Sequence, residues 1–226
     1  MTHTVNTISF SGLLEQHRDI QDEINSAISR VLNSGWYILG KELENFEKEF
    51  AKYCGVKYAV GCASGTEAIA LSLMALDIKS GDEVITVPNT AVPTISAISM
   101  VGATPVFVDV DECFLIDIKK IEKAITKKTK AIIPVHLYGQ MADMDEITDI
   151  AKQYNLNVIE DACQSHGAEY KGRKAGSIGD IGCFSFYPTK NLGCYGDGGA
   201  VTTNNKAIYD RLLMLRNYGQ VKRYYH

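Results

Sequence analysis

The sequence has little of what marks several protein classes. No two of its six cysteines, Cys54, Cys62, Cys113, Cys163, Cys183 and Cys194, form a CxxC pair, and their spacings match no zinc or iron–sulfur pattern. They read as small apolar residues of a reducing compartment. Positive charge is not in excess: 23 Lys and Arg face 27 Asp and Glu, a net charge of −4, which makes nucleic acid a poor partner. The most apolar window, Ala68 to Ile78, is interrupted by Ser72 and Asp77 and is too short to cross a bilayer. The stretch Met1 to Phe10 has neither the basic start nor the apolar run of a signal peptide. No repeat or low-complexity tract is visible. The expectation is a soluble, cytoplasmic protein with neither a membrane nor a nucleic-acid partner.

What is present is an ordinary globular composition over 226 residues, 46% hydrophobic and 22% charged, with 19 glycines. A chain of this size buries roughly 70% of its unfolded surface, enough for a core without staples. Apolar residues at Ile20, Ile24, Ala27, Ile28 and Val31 predict a helix that stops at Asn33-Ser34-Gly35, and Leu43, Phe46, Phe50 and Tyr53 mark a second from about Lys41. Short β-branched runs follow at 58–62, 83–87, 104–109, 131–136 and 157–161. Helical stretches at 66–76, 94–101, 118–127 and 143–154 separate them, and the glycine-punctuated remainder holds two more strand-like runs before a last helix over 206–215. Strands alternating with helices predict an α/β fold, a mostly parallel sheet covered on both faces. Loops after such strands line one edge of the sheet, where ligands bind. Ser64-Gly65-Thr66, His136-Leu-Tyr-Gly139 and Asp161-Ala-Cys-Gln164 fall there.

Each candidate has a plain alternative. Ser64-Gly-Thr-Glu67 is a capping box whose free amides and positive helix end suit a phosphate, although most capping boxes bind nothing. Asp161 ends an apolar strand, so its carboxylate needs a cation, from a ligand ring nitrogen or from an ion pair, unless it caps a helix. Lys190 follows Phe184-Ser-Phe-Tyr-Pro-Thr in an apolar, glycine-flanked setting, either as a desolvated nucleophile or in a buried salt bridge. His136 and His166 are ligands, bases or satisfied structural residues. The lysines from Lys119 to Lys130 read as a solvated face. A phosphate cradle, a buried acid and a desolvated lysine on one α/β sheet are together what pyridoxal phosphate requires.

These motifs, in order, resemble the DegT/DnrJ/EryC1/StrS aminotransferases. The resemblance runs from about Gly35 to the last residue. It is carried by Ala63-Ser-Gly-Thr-Glu-Ala68, Gly81-Asp-Glu-Val-Ile-Thr-Val-Pro88, Gly102-Ala-Thr-Pro-Val-Phe-Val-Asp109, Pro134-Val-His-Leu-Tyr-Gly139, Glu160-Asp-Ala-Cys-Gln-Ser-His-Gly-Ala168, Gly182-Cys-Phe-Ser-Phe-Tyr-Pro-Thr-Lys-Asn191, Gly196-Asp-Gly-Gly199 and Arg216-Asn-Tyr-Gly219. It implies a three-layer α/β/α, aspartate-aminotransferase-like large domain of fold type I that binds pyridoxal 5'-phosphate. The activity implied is transfer of an amino group from an amino acid, glutamate being expected, to a nucleotide-linked keto-sugar in polysaccharide or deoxyaminosugar biosynthesis, by a homodimer and without a metal. By the same resemblance Lys190 is the Schiff-base lysine and Asp161 the partner of the pyridine nitrogen. Gln164 lies near the phenolic oxygen, and Gly65, Thr66 and Ser185 contact the phosphate.

The chain also departs from the family. Val92 stands where many relatives carry an aromatic residue that stacks on the cofactor ring, and the smaller C-terminal domain of relatives is expected to be absent from residues 1–226. A truncated, catalytically silent cofactor-binding protein is therefore an alternative, as is a sugar dehydratase of the same family, although those relatives replace the lysine with histidine. The closing stretch, residues 217–226, weakly resembles that of relatives acting at C3 of the sugar.

Overall fold

The computed structural model describes residues 10–220; residues 1–9 at the start and 221–226 of the closing stretch lie outside the described residues. The chain divides into two compact units, one ending at Glu44 and one beginning at Asn45. In the first, α1 (Leu13–Ser34) starts seven residues before its periodicity becomes regular and closes on Gly35. Gly35 has φ 64°, and its N–H donates to the Leu32 carbonyl. No residue of α1 is buried within the structure. Arg30 pairs with Glu42 at 3.1 Å, and the indole N–H of Trp36 donates to the Ile38 carbonyl.

The second unit is built on a seven-stranded sheet. Its strands are β1 (Tyr58–Cys62), β2 (Glu83–Thr86), β3 (Thr104–Phe107), β4 (Thr129–Ile132), β5 (Asn157–Asp161), β8 (Ile181–Ser185) and β9 (Gly199–Thr203). A separate two-stranded hairpin, β6 (Glu169–Tyr170) and β7 (Arg173–Lys174), has no counterpart among the predicted elements, being too short to show a period. The order across the sheet is β1-β9-β8-β5-β4-β2-β3, and only β9 runs antiparallel to its neighbours. The helices are α2 (Lys41–Cys54), α3 (Gly65–Ala75), α4 (Val92–Met100), α5 (Ile118–Ala124), α6 (Met144–Tyr154) and α7 (Lys206–Leu215).

Successive strand residues point to opposite faces, and each face builds its own core. Ala59, Ile85, Ile132, Val158, Phe184 and Ala200 join Phe50 of α2, Ile121 of α5 and Ile147 of α6. Their neighbours Val60, Val84, Ala131, Ile159, Cys183 and Val201 join Leu73 of α3, Ile98 of α4 and Leu212 of α7. The result is the expected three-layer sandwich. Phe50 meets Phe184 edge-on at 4.9 Å, and burying each such ring contributes roughly 2–3 kcal/mol. The motif arginine Arg216 is structural: it pairs with Glu47, and Nη1 donates to the Gly61 carbonyl at 3.2 Å. Among the described residues, no helix is long and apolar enough to cross a membrane.

Candidate active site

The carboxyl ends of β1, β2, β5 and β8 open on a cavity of about 310 Å³, at the edge where the order of a doubly wound sheet places ligands. From β1 the chain turns into α3. Ser64 caps the helix as predicted, its hydroxyl accepting from the Glu67 amide at 3.1 Å. The Glu67 carboxylate returns to the Ala63 amide, one residue earlier than a standard capping box. The amides of Gly65 and Thr66 are not drawn into this cap and lie at the cavity with the positive end of α3. A Cβ on Gly65 would stand 2.7 Å from Ser185 Cβ and 2.9 Å from Cys163 Sγ, so only glycine lets α3 approach the end of β8 this closely. Gly199 is equally constrained, since a Cβ there would collide with the Ser64 carbonyl.

Asp161 lies at the end of β5 with 5% exposure. Thr94 Oγ1 donates to its Oδ2 at 2.7 Å and the Cys163 amide to its Oδ1 at 3.2 Å, while Thr90 supports the Thr94 hydroxyl at 2.8 Å. Among the described residues no cationic side chain lies within ion-pair distance of Asp161, and it caps no helix. Both plain alternatives fall away, leaving a buried carboxylate aimed at a cavity without a counter-charge. Cys163, beside it, keeps a neutral thiol: burial pushes its pKa well up, and the Asp161 charge adds to the effect.

Lys190 lines the same cavity from the loop after β8, where its amide bonds to the Tyr187 carbonyl at 2.8 Å. It is half-buried, not enclosed as its apolar flanks predicted, because Tyr187 and Leu192 point outward at 54% and 48% exposure. No carboxylate among the described residues pairs with it, so the salt-bridge alternative also fails. Gln164 and Ser185 complete the predicted set at the cavity.

Val92 does not belong to this wall. It is 74% exposed, and Ala91, Pro93 and Thr94 face the cavity there. The chain enters α4 at Val92, two positions before the expected start at 94, and its N-cap Ala91 lines the cavity while Val92 turns outward. Thr94 and Thr90 were not among the predicted site residues. Their role depends on α4 crossing the end of β5, which no local motif announces.

The two histidines are not ligands of this cavity. His136 is fully buried: the Ala142 amide donates to Nδ1 at 3.2 Å, which puts the proton on Nε2, and Nε2 donates to Glu160 at 3.0 Å. Burial works against the Glu160 charge, yet His136 and the amides of Gly179 and Gly176 outweigh it and hold the carboxyl below its ordinary pKa. His166 packs 5.3 Å from Phe184 and 5.6 Å from Phe186, and burial lowers its basicity. Its polar neighbours, the Asn191 side chain and the Ser185 backbone, do not reach good hydrogen-bond geometry.

The architecture and the motif order agree with one group of proteins. The chain belongs to the DegT/DnrJ/EryC1/StrS aminotransferase family, whose model matches residues 18–226. It is 55% identical over 218 residues to dTDP-3-amino-3,6-dideoxy-alpha-D-galactopyranose transaminase of Aneurinibacillus thermoaerophilus, covering 96% of this chain and 60% of that protein. Among solved structures, DesV of S. venezuelae in complex with a ketimine intermediate superposes with a TM-score of 0.95 at 48% identity, covering 98% of this chain and 60% of that one. NtdA of Bacillus subtilis with bound cofactor PMP superposes with a TM-score of 0.87 at 38% identity, covering 94% and 48%. The three-layer fold is thus the fold of pyridoxal-phosphate-dependent aminotransferases. This chain spans about 60% of the length of the first two relatives.

Proposed function

We propose that residues 45–220 form the cofactor-binding large domain of a pyridoxal-phosphate-dependent sugar aminotransferase, which moves an amino group from glutamate to a nucleotide-linked keto-sugar. The observation that carries this reading is the pairing of an uncompensated buried Asp161 with an unpaired Lys190 on one cavity whose floor is the glycine cradle at Gly65. These residues fit the cofactor: Asp161 has an acceptor site for a protonated ring nitrogen, and the amides of Gly65 and Thr66 with the Ser185 hydroxyl suit a phosphate.

When bound, the cofactor supplies an electron sink for the charge left when a carbon beside the amino nitrogen loses its proton. Thr94 and the Cys163 amide fix the orientation of the Asp161 carboxylate, which would hold the ring nitrogen and offer a preset field to the charge that develops. The Lys190 amine would hold the cofactor and, once the donor's amino group displaces it, would be free to take the proton from the amino-acid carbon and, in the second half of the reaction, to deliver one to the sugar carbon as general base and acid. Gln164, which lines the same cavity, would lie near the phenolic oxygen. The 3-amino product in the name of the Aneurinibacillus relative supports amination at C3. A homodimeric, cytoplasmic enzyme of deoxyaminosugar or surface-polysaccharide synthesis is the setting we infer from the family.

The test is spectroscopic and chemical. Purified with pyridoxal phosphate, the protein is expected to show a visible absorbance band that is absent from Lys190→Ala, and with a dTDP-linked keto-sugar and glutamate to release 2-oxoglutarate. An unchanged spectrum in the variant sinks the assignment of Lys190. A cofactor band without turnover selects the silent-protein reading instead.

A further inference from the structure

Three side-chain oxygens lie in a row beside the cavity. Thr90 Oγ1 is 2.8 Å from Thr94 Oγ1, and Thr94 Oγ1 is 2.7 Å from Asp161 Oδ2. Distance gives the first of these bonds no direction, because each hydroxyl can donate or accept. Counting hydrogens supplies one. A hydroxyl carries a single hydrogen and a carboxylate only accepts. Thr94 uses its hydrogen on Asp161, so the hydrogen between the two threonines belongs to Thr90. The row is a one-way chain from Thr90 through Thr94 to Asp161.

The chain is mounted on stiff backbone. Thr94 is buried as the third residue of α4, directly after Pro93, and the Thr90 amide donates back to the Pro88 carbonyl at 3.0 Å. Thr90 therefore leaves the main chain between two residues whose φ is fixed. A threonine at the start of a helix has a second use for its hydroxyl, which in one common rotamer bonds a carbonyl three or four residues back. Thr90 works against that turn, since its hydrogen occupies an acceptor site of Thr94 and leaves Asp161 as the acceptor in line. Were the Thr94 hydrogen to turn away, an oxygen lone pair would face Oδ2 at 2.7 Å. The carboxylate would then swing about its bond from the Cys163 amide, 3.2 Å from Oδ1.

We propose that Thr90 is a positioning residue for the ring nitrogen of the cofactor. It acts through Thr94: its hydroxyl sets the direction of the hydrogen-bond chain, and the chain sets the line along which Asp161 meets the ring. The inference rests on the function proposed above and adds a residue that works at one remove from the carboxylate. Thr90 also forms part of the cavity wall, so its effect on aim has to be separated from its effect on shape.

The experiment is a fluorescence titration of the full chain, freed of cofactor, with two ligands. One is pyridoxal phosphate, and the other is its analogue in which a C–H group replaces the ring nitrogen. Wild type is compared with Thr90→Val, which keeps the shape and removes the hydroxyl, and with Thr90→Ser, which keeps the hydroxyl. Thr90→Val is expected to bind pyridoxal phosphate about three- to tenfold more weakly, the size of one hydrogen bond, and to bind the analogue within about twofold of wild type. Thr90→Ser is expected to stay within about twofold of wild type for both ligands. Unchanged pyridoxal phosphate affinity in Thr90→Val overturns the proposal. An equal loss for both ligands overturns it too, because a change of shape does not sense the ring nitrogen. So does a Thr90→Ser protein as weak as Thr90→Val, in which the hydroxyl is not the active part. A wild-type protein that binds neither ligand refutes the parent reading, whereas normal wild-type binding with any of the other patterns refutes this inference alone.

Discussion

Replacing Glu160 by glutamine changes one atom of a buried side chain and tests the hydrogen-bond accounting under the site. The carboxylate is fully buried and takes four donors: Ile178 and Gly179 amides on Oε1, both at 2.7 Å, and the Gly176 amide and His136 Nε2 on Oε2, both at 3.0 Å. A glutamine of the same shape has one acceptor oxygen. Whichever way its amide turns, the NH2 group faces two donors. If it faces His136, the imidazole gains nothing by shifting its proton to Nδ1, because that nitrogen already accepts from Ala142. Two orphaned buried donors cost about 1–3 kcal/mol each, so we expect Glu160→Gln to lose about 3 kcal/mol after relaxation. For a protein of this size that corresponds to a Tm lower by roughly 6–12 °C. Urea unfolding at pH 7, followed by circular dichroism, measures it. A loss under about 0.5 kcal/mol, the range of an ordinary surface change, refutes the accounting. The pH dependence has a definite sign. The folded carboxyl titrates below its ordinary value of 4.5, so the unfolded chain takes up its proton first as pH falls. The stabilisation is complete above that value and disappears as pH drops through the folded pKa. The gap between wild type and Glu160→Gln should narrow in acid and stay constant above about pH 6.

Three further outcomes are expected. Gly65→Ala forces Ser185 and Cys163 aside, costs about 1–3 kcal/mol of stability, and weakens pyridoxal phosphate binding in a fluorescence titration; wild-type affinity would contradict the cradle. Thr94→Val removes a hydroxyl donor from a buried carboxylate and is expected to cost about 2 kcal/mol by urea unfolding, with an unchanged midpoint counting against the Asp161 network. Thiol titration at pH 8 should label exposed Cys113 first in the native protein. Burial pushes Cys54 and Cys62 up to about 12 and holds Cys163 and Cys183 well above the ordinary thiol range, so rapid native labelling of four thiols would contradict the packing.

Much of this architecture is legible from local pattern. The run 157–161 announces both a buried strand and the placement of Asp161 at its end, and Ser64 and Glu67 announce the start of α3. What depends on distant chain is not legible. The Thr94 hydroxyl reaches Asp161 across 67 residues, and nothing near Thr94 signals a carboxylate. The half-exposure of Lys190 reflects how the loop after β8 projects, which its apolar neighbours conceal. The start of α4 at Val92, two residues before the expected 94, is on the scale at which sequence pattern loses resolution.

The place of β9 has a consequence for how the molecule is made. β9 lies second in the sheet although it is the last strand of the described chain, and it alone pairs β1. The bond from the Lys57 amide to Asn204 Oδ1, 3.0 Å long, joins residues 147 apart. At 5–20 residues per second, β1 therefore waits roughly 7–30 seconds on the ribosome without its partner, an unpaired apolar edge open to wrong pairing. The glycine cradle at Gly65 packs against Gly199, so it too is completed only then. Any cofactor held by these residues therefore needs the last strand in place, and the contact that closes the sheet is the docking of the late, mutually paired β8 and β9 onto the early β1, a pairing of high sequence separation and so intrinsically slow.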